Sequence, residues 1–218
     1  ARYDAARGID TLELARISEA ASEQRAGRAG RVAPGRAYRL WSAADRLAPY
    51  RIPDIHRVDL AAAVLDVVAW GGDPRRFAWY ERPTEDRLDA ALALLHRLGA
   101  LEGLALTSTG KAMSALPLQP RLARILLAGK GHPALARSCA VLSAAFGPAS
   151  DPEGTADLLA ILDRWTTVPP AVQQLARELE RLVAASERPV VGEAVVQRAL
   201  LAGYSDRVAQ RRAPGANS

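Results

Sequence analysis

Gln24, Arg28 and Arg31, within the run Gln24-Arg25-Ala26-Gly27-Arg28-Ala29-Gly30-Arg31, stand at i, i+4 and i+7, the spacing that brings side chains to one face of an α-helix. An amide and two guanidinium groups then point the same way. Guanidinium is planar, permanently charged and forked to match phosphate oxygens, so such a face suits a polyphosphate. Gly27 and Gly30 each cost a helix about 1 kcal/mol relative to alanine, and their place beside the arginines predicts close approach by another backbone or a ligand. A run of arginines alone would read as a solvated basic face; the paired glycines and the leading Gln24 favour a docked anion instead.

The flanking residues supply the elements that must hold this face. Asp10 to Ile17, with Leu12 and Leu14 alternating with polar residues, predicts a strand, and Ser18 can cap the helix that carries the arginines. Pro34-Gly35 is expected to end that helix, and Arg36 to Trp41, with apolar Ala37, Tyr38, Leu40 and Trp41, reads as a short closing strand. Beyond Ile52 the pattern turns helical. Asp59 can open a helix bearing Leu60, Val64, Val67 and Val68, stopped by Gly71-Gly72 and the Asp73-Pro74 turn. Thr84 can cap a second, with Leu88, Leu92, Leu95 and Leu98, closed by Gly99, and Leu101 to Thr107 around Gly103 reads as a hairpin or wing. A short helix capped by Thr107 or Ser108 should pack Met113 and Leu116. Four further helices follow, on Leu122, Ile125 and Leu126; on Leu135, Cys139 and Leu142; on Leu158, Leu159 and Leu162; and on Val172, Leu175, Leu179 and Leu182.

Other candidate chemistry falls away. Thr109-Gly110-Lys111 suggests a phosphate loop, yet Ala105 stands where the first loop glycine belongs and Ala112 where the magnesium-binding hydroxyl belongs. His56, His96 and His132 have no metal-ligand spacing, and one cysteine, Cys139, cannot form an internal disulfide and fits a reducing compartment. Phe77, Trp79 and Tyr80 could stack bases but are expected to pack, and Arg207, Arg211 and Arg212 are expected to be a solvated end. The chain has 218 residues, 49% of them hydrophobic, enough for one large or two to three small cores. Its net charge of +5, from 29 basic and 24 acidic residues, mildly favours anionic partners. The N-terminal residues show no signal-peptide core, the apolar stretch from Leu60 to Trp70 is too short for a membrane span, and the chain is read as a fragment of a longer protein.

The octet resembles motif VI of superfamily 2 helicases, in the QRxGRAGR form of the DEAH-box branch. The resemblance implies that Arg28 and Arg31 are arginine fingers reaching the nucleotide phosphates and that Gln24 lies beside the attacking water. Gln24, Gly27, Arg28 and Arg31 are then the cofactor-binding residues, with no metal ligand among them, and Arg25 stays outside the catalytic set. "RYDAARGIDTLELARIS" resembles the hairpin before the motif, and "APGRAYRLW" the strand after it. The LGAL, LT, Gly110, Met113 and LPLxPRLA elements resemble the family's winged helix. "SCAVLSAAF" and the helix around Gln174-Leu175 resemble its ratchet domain, and "ALLAGYSDRVAQRR" the entry to a C-terminal OB-fold. "GIDTLELARISEAASEQRAGRAGR" and "RVDLAAAVLDVVAWGGDP" point to the bacterial HrpB type.

The expected fold is therefore mainly α with short β elements: the end of a RecA-like α/β domain over residues 1–48, a winged helix over 49–118, a helical ratchet bundle over 119–202, and the start of a connection to an OB-like domain over 203–218. The resemblance implies an ATP-dependent RNA or DNA helicase that couples NTP hydrolysis to translocation on single-stranded nucleic acid, with RNA favoured. ATP and Mg2+ are the implied cofactors, bound mainly by N-terminal parts not in this sequence, and the implied setting is cytoplasmic, with no membrane partner. With no P-loop and no DEAH sequence, this stretch alone is expected to be inactive. The alternative is a non-enzymatic winged-helix nucleic-acid-binding protein, which leaves the octet without a purpose.

Overall fold

A computed structural model describes residues 2–4, 9–11, 14–42, 44–129, 132–145, 157–183 and 193–208. Leu12, Arg211 and Arg212, and most of the stretch expected to lead to an OB-like domain, lie outside them. The chain divides into two compact units, one of residues 1–60 and 78–88, the other of residues 61–77 and 89–218.

The first unit opens with an antiparallel hairpin, β1 (Arg2–Asp4) and β2 (Ile9–Thr11), pairing Arg2 with Thr11 and Asp4 with Ile9. Helix α1 (Glu19–Arg28) follows. Two expectations are corrected here. Of the strand predicted from Asp10 to Ile17, Asp10 and Thr11 belong to β2, residues 12–13 lie outside the described residues, and residues 14–17 form no strand, since no described strand pairs with them. Residues 36–41 form no strand either: a strand exists through its ladder, and no described strand lies beside them. A 3-10 turn, Asp54–His56, is tied to the later part of the unit by the 3.0 Å pair of His56 Nε2 with Glu81 Oε2 and by the Arg87 guanidinium, which donates to the carbonyls of Ile55 and Val58.

The second unit holds the helices predicted for the bundle and most of the elements predicted for the winged helix. Helix α2 (Ala61–Ala69) buries Val64, Leu65, Val67 and Val68 and ends in a Schellman-type turn, where the amides of Gly71 and Gly72 donate to Val68 and Val67 and Gly71 takes φ +84°. Helix α3 (Glu85–Arg97) begins in the first unit and belongs to the second from Asp89 on; it buries Leu88, Leu92 and Leu95 and closes on Gly99 at φ +70°. Strands β3 (Leu101–Glu102) and β4 (Ala105–Leu106) form the small antiparallel wing around Gly103. Thr107 then caps α4 (Ser108–Ser114): its Oγ accepts from the Gly110 amide at 2.9 Å and donates to the Gly99 carbonyl at 2.7 Å. Gly110 therefore serves packing, since a Cβ there would run into the Ala100 carbonyl.

The bundle comprises α5 (Pro120–Ala128), α6 (Pro133–Ala145), α7 (Leu158–Asp163), α8 (Pro170–Leu182) and α9 (Glu193–Gly203). Helix α9 adds to the four predicted. It supplies Val196 and Ala199 to a core with Leu122, Ile125, Leu126, Leu135, Cys139 and Leu179. Its close crossing with α5 depends on Gly203, where a Cβ would lie 2.6 Å from Ile125 Cγ1 and 2.7 Å from the Arg121 carbonyl. Leu182, expected on the buried face of α8, is exposed.

Candidate functional site

Helix α1 begins as the sequence predicts. Ser18 is extended (φ −77°, ψ 159°) and its Oγ accepts from the Ala21 amide at 3.3 Å. The next free donors of that end are satisfied by the returning chain: the Glu19 amide donates to the Ala48 carbonyl at 2.8 Å and the Ala20 amide to the Pro49 carbonyl at 3.0 Å. Ser22 is buried on the inner side. These contacts fix the axis of α1 and leave its outer face to Gln24 and Arg28.

The helix ends at Arg28, earlier than the Pro34-Gly35 signal implied. The Ala29 amide tightens onto the Ala26 carbonyl at 3.1 Å, Gly30 gives the next position little helical preference, and Pro34 disfavours helix at Ala33. Gln24 and Arg28 share a face as expected. Arg31, placed at i+7 on the same helix by the sequence reading, instead sits in the bend that follows the helix end, and its direction is set by that bend.

The segment after the bend holds it in place. A Cβ on Gly35 would run into the Ala29 carbonyl, so the chain passes directly over the end of α1 there. Gly27 and Gly30 are different: a Cβ at either meets open space, and neither takes a positive φ. The close approach predicted for those two glycines is not made by any described residue, whereas Gly35, read from sequence only as a helix stop, makes one. The Arg39 guanidinium donates to Glu23 Oε1, next to Gln24, and Arg16 donates to Asp45 Oδ1 at 3.3 Å. The sequence reading missed Glu23, Gly35 and Arg39 as supports of the motif; only the Pro34-Gly35 pair gave any signal.

Neutralised arginines therefore surround arginines that are not. Among the described residues no carboxylate pairs with Arg28 or Arg31, both of which are exposed, and Gln24 is exposed as well. The C-terminal end of a helix carries roughly half a negative charge, which favours a cation at Arg28 but repels an anion. Any anion held here must be held by the guanidinium groups themselves. Two such groups, each with a full charge, outweigh the half charge of the dipole, and their planar donors can grip non-bridging oxygens from two sides.

The aromatic residues divide. Trp79 is half-buried, but Tyr80 is fully exposed, which corrects the expectation that the whole cluster packs. Among the described residues no group of three His, Cys, Asp or Glu side chains is arranged to hold a metal ion.

A family profile for the helicase-associated domain (HA2), winged-helix, matches residues 91–118, which hold most of α3, the wing and α4. The ATP-dependent RNA helicase HrpB of Escherichia coli is 35% identical over 216 residues, 97% of this chain and 26% of HrpB. Crystal structures of that protein, described as a DExH-box NTPase and as a DEAH/RHA helicase, match 97% of the chain at 32% identity with TM-scores of 0.72 and 0.78. Over nearly its whole length the chain corresponds to one part of the HrpB-type DEAH-box helicases. It spans about a quarter of the length of HrpB. The probable ATP-dependent RNA helicase DHX34 of Mus musculus is 39% identical over a shorter stretch of 131 residues, 58% of this chain and 11% of DHX34.

Proposed function

We propose that this chain is the arginine-finger and nucleic-acid-channel part of an ATP-dependent RNA helicase. On this reading residues 1–48 complete a second RecA-like domain, 49–118 form the winged helix, 119–202 the ratchet bundle, and 203–218 lead toward an OB-like domain. The observation that carries the proposal is the pairing pattern around α1: Arg16 and Arg39 are spent on carboxylates, while Arg28 and Arg31 are exposed with no such partner among the described residues. Unspent planar donors beside an open glycine face fit the phosphates of a nucleotide.

ATP supplies the phosphoanhydride bond whose cleavage drives the cycle. Arg28 and Arg31 meet the negative charge that spreads over the transferred phosphoryl oxygens, and they act more strongly in the transition state than in the ground state. Gln24, one turn before Arg28, orients the attacking water through its amide, and Gly27 leaves room for the phosphates to approach. Mg2+ belongs to the nucleotide-holding parts outside this sequence, as does the loop that cradles the phosphates. The proposed partner is single-stranded RNA, supported by the RNA helicases among its relatives and by the net charge of +5. No described helix is long and apolar enough to cross a membrane, and the proposed setting is the cytoplasm, where the lone buried Cys139 stays reduced.

The test uses the intact helicase. Arg28→Ala or Arg31→Ala should lower NTP turnover by about a thousandfold, the usual scale for arginine fingers, with nucleic-acid affinity in the absence of nucleotide nearly unchanged. Arg28→Lys should fail almost as badly, since an ammonium cannot reproduce the fork. Loss of nucleic-acid binding with turnover per bound complex preserved would make these arginines a nucleic-acid contact and refute the assignment.

A further inference from the structure

Arg137 on α6 lies over Trp165, its guanidinium carbon 5.2 Å from the ring centroid. Trp165 is itself held, packing against the small core of Ala140, Val168, Val172 and Ala176, with its carbonyl accepting from Gln173 Nε2 at 3.5 Å. The Arg137 Nε stands 3.6 Å from Glu180 Oε1 on α8, close enough for attraction but too far for a hydrogen bond, and although sealed from solvent it has no acceptor. The side chain as a whole remains 40% exposed, and its two terminal nitrogens donate to no described residue.

Arg121, in the same unit, shows what an arginine used purely as a staple looks like. Its terminal nitrogens donate to both oxygens of Asp206 at 2.7 Å and to the Gly203 carbonyl at 3.0 Å, and the side chain is 10% exposed. Arg137 makes none of these bonds. It rests over the indole and its charge is balanced loosely by Glu180, yet its donors are unspent. Such a group binds a phosphate with little further loss of side-chain freedom.

We infer that Arg137, laid on Trp165, grips one backbone phosphate of single-stranded nucleic acid. The inference rests on the helicase reading above and names a contact within it. The terminal nitrogens give the fork for two non-bridging oxygens, Trp165 supports the group from below, and Glu180 keeps the contact weak enough to release as the strand advances. Contacts of this kind carry no sequence preference and appear as salt dependence.

The experiment measures fluorescence anisotropy of a labelled oligouridylate of about 20 nucleotides with the full chain, across a salt series. Arg137→Gln should weaken binding several-fold at low salt and reduce the slope of log affinity against log salt by about 0.7, the share of one phosphate on a single strand. Glu180→Gln should bind more tightly, and it keeps the inference open to refutation if the Arg137 variant folds poorly, which an unfolding midpoint would reveal. Unchanged affinity and slope in Arg137→Gln, or unchanged or weaker binding by Glu180→Gln, overturns the assignment of Arg137 alone. No binding by the unaltered chain overturns the helicase reading and this inference with it.

Discussion

Replacing Asp206 with Asn should destabilise the second unit by a measurable and pH-dependent amount. The Asp206 carboxylate accepts from both terminal nitrogens of Arg121 at 2.7 Å and lies 3.3 Å from Arg97 at the end of α3, while Arg121 also stacks on Tyr204 at 5.2 Å. Residues of α3, α5 and the turn after α9 thus meet at one charge cluster. Asn keeps the shape and removes the charge, leaving a guanidinium 10% exposed without its counterion. Hydrogen bonds to charged groups are worth about 1.5–3 kcal/mol each, and stranding a fully buried partner costs about 3–5 kcal/mol. The Asp206 side chain is 18% exposed and Arg121 keeps its bond to the Gly203 carbonyl, so the expected loss is about 2–3 kcal/mol. That corresponds to a Tm lower by roughly 4–12 °C.

The pH dependence follows from the same contact. Hydrogen bonds from Arg121, helped by the Arg121 and Arg97 charges and opposed by partial burial, hold the Asp206 pKa at about 2 against an ordinary 3.8. A depressed folded-state value means that the unfolded chain takes up the proton first as pH falls. The stabilisation is complete above 3.8 and is lost as pH drops through about 2. After allowance for solvent around a partly exposed carboxylate, this titrating share is about 1–2 kcal/mol, the rest being the stranded guanidinium. Urea unfolding of both proteins, followed by tryptophan fluorescence, should show a stability gap that is flat from neutral pH to the ordinary value and narrows below it. A gap that is absent at neutral pH, or that stays constant through acid, would refute the reasoning.

Two further outcomes follow from the packing. Gly35→Ala drives a Cβ into the Ala29 carbonyl and must displace the bend that carries Arg31, so NTP turnover of the intact helicase should fall with little change in α1 helicity; Gly27→Ala, with open space around it, should raise the helicity of α1 yet also slow turnover if phosphates approach that face. Steady-state kinetics and circular dichroism on both variants check this, and a Gly27→Ala helicase with full activity would show that nothing approaches Gly27. Burial pushes the Cys139 thiol up to about 12 and its Sγ lies 3.4 Å from the Leu122 carbonyl, so a thiol reagent at neutral pH should modify it only at the rate of unfolding; fast stoichiometric labelling of the native chain would contradict its place in the core.

The helical parts were legible wherever a periodic apolar face met a backbone signal. Leu88, Leu92, Leu95 and Leu98 repeat at helical spacing before Gly99, and the chain turns there at φ +70°; Thr107 precedes a short helix and caps it. Each rests on contacts near in sequence. What could not be read rests on contacts distant in sequence. The carbonyls of Ala48 and Pro49 that satisfy α1, the Glu23 and Arg39 pair, and the junction of Arg97, Arg121 and Asp206 join positions that no local pattern connects. The end of α1 was misplaced because Pro34-Gly35 is a strong local stop, whereas the helix had already lost support at Gly30. That error moved Arg31, the residue for which the helical spacing argument was most specific.

The octet owes its place less to its own helix than to what surrounds it. A cation in the last turn of a helix is favourable by about 0.3–1 kcal/mol whatever its function, so Arg25 and Arg28 alone would prove little. Arg31 gains no such benefit in the bend beyond the helix, and the exposed pairs of Arg16 with Asp45 and Arg39 with Glu23 are each worth under about 1 kcal/mol. Around them Leu14, Val32, Tyr38 and Leu40 are exposed, while the buried side chains described between residues 14 and 52 are those of Ser18 and Ser22. An arrangement held by weak polar contacts beside exposed apolar residues gains its rigidity when those residues are covered, which the proposed RecA-like domain would do. Within that setting Arg28 and Arg31 would be positioned by the burial of Val32, Tyr38 and Leu40 a few residues on, so Leu40→Ser in the intact helicase should lower NTP turnover though it touches no nucleotide. Its signature would be a fall in kcat with KM for NTP little altered, and a variant as active as the parent would show that the octet holds its geometry unaided.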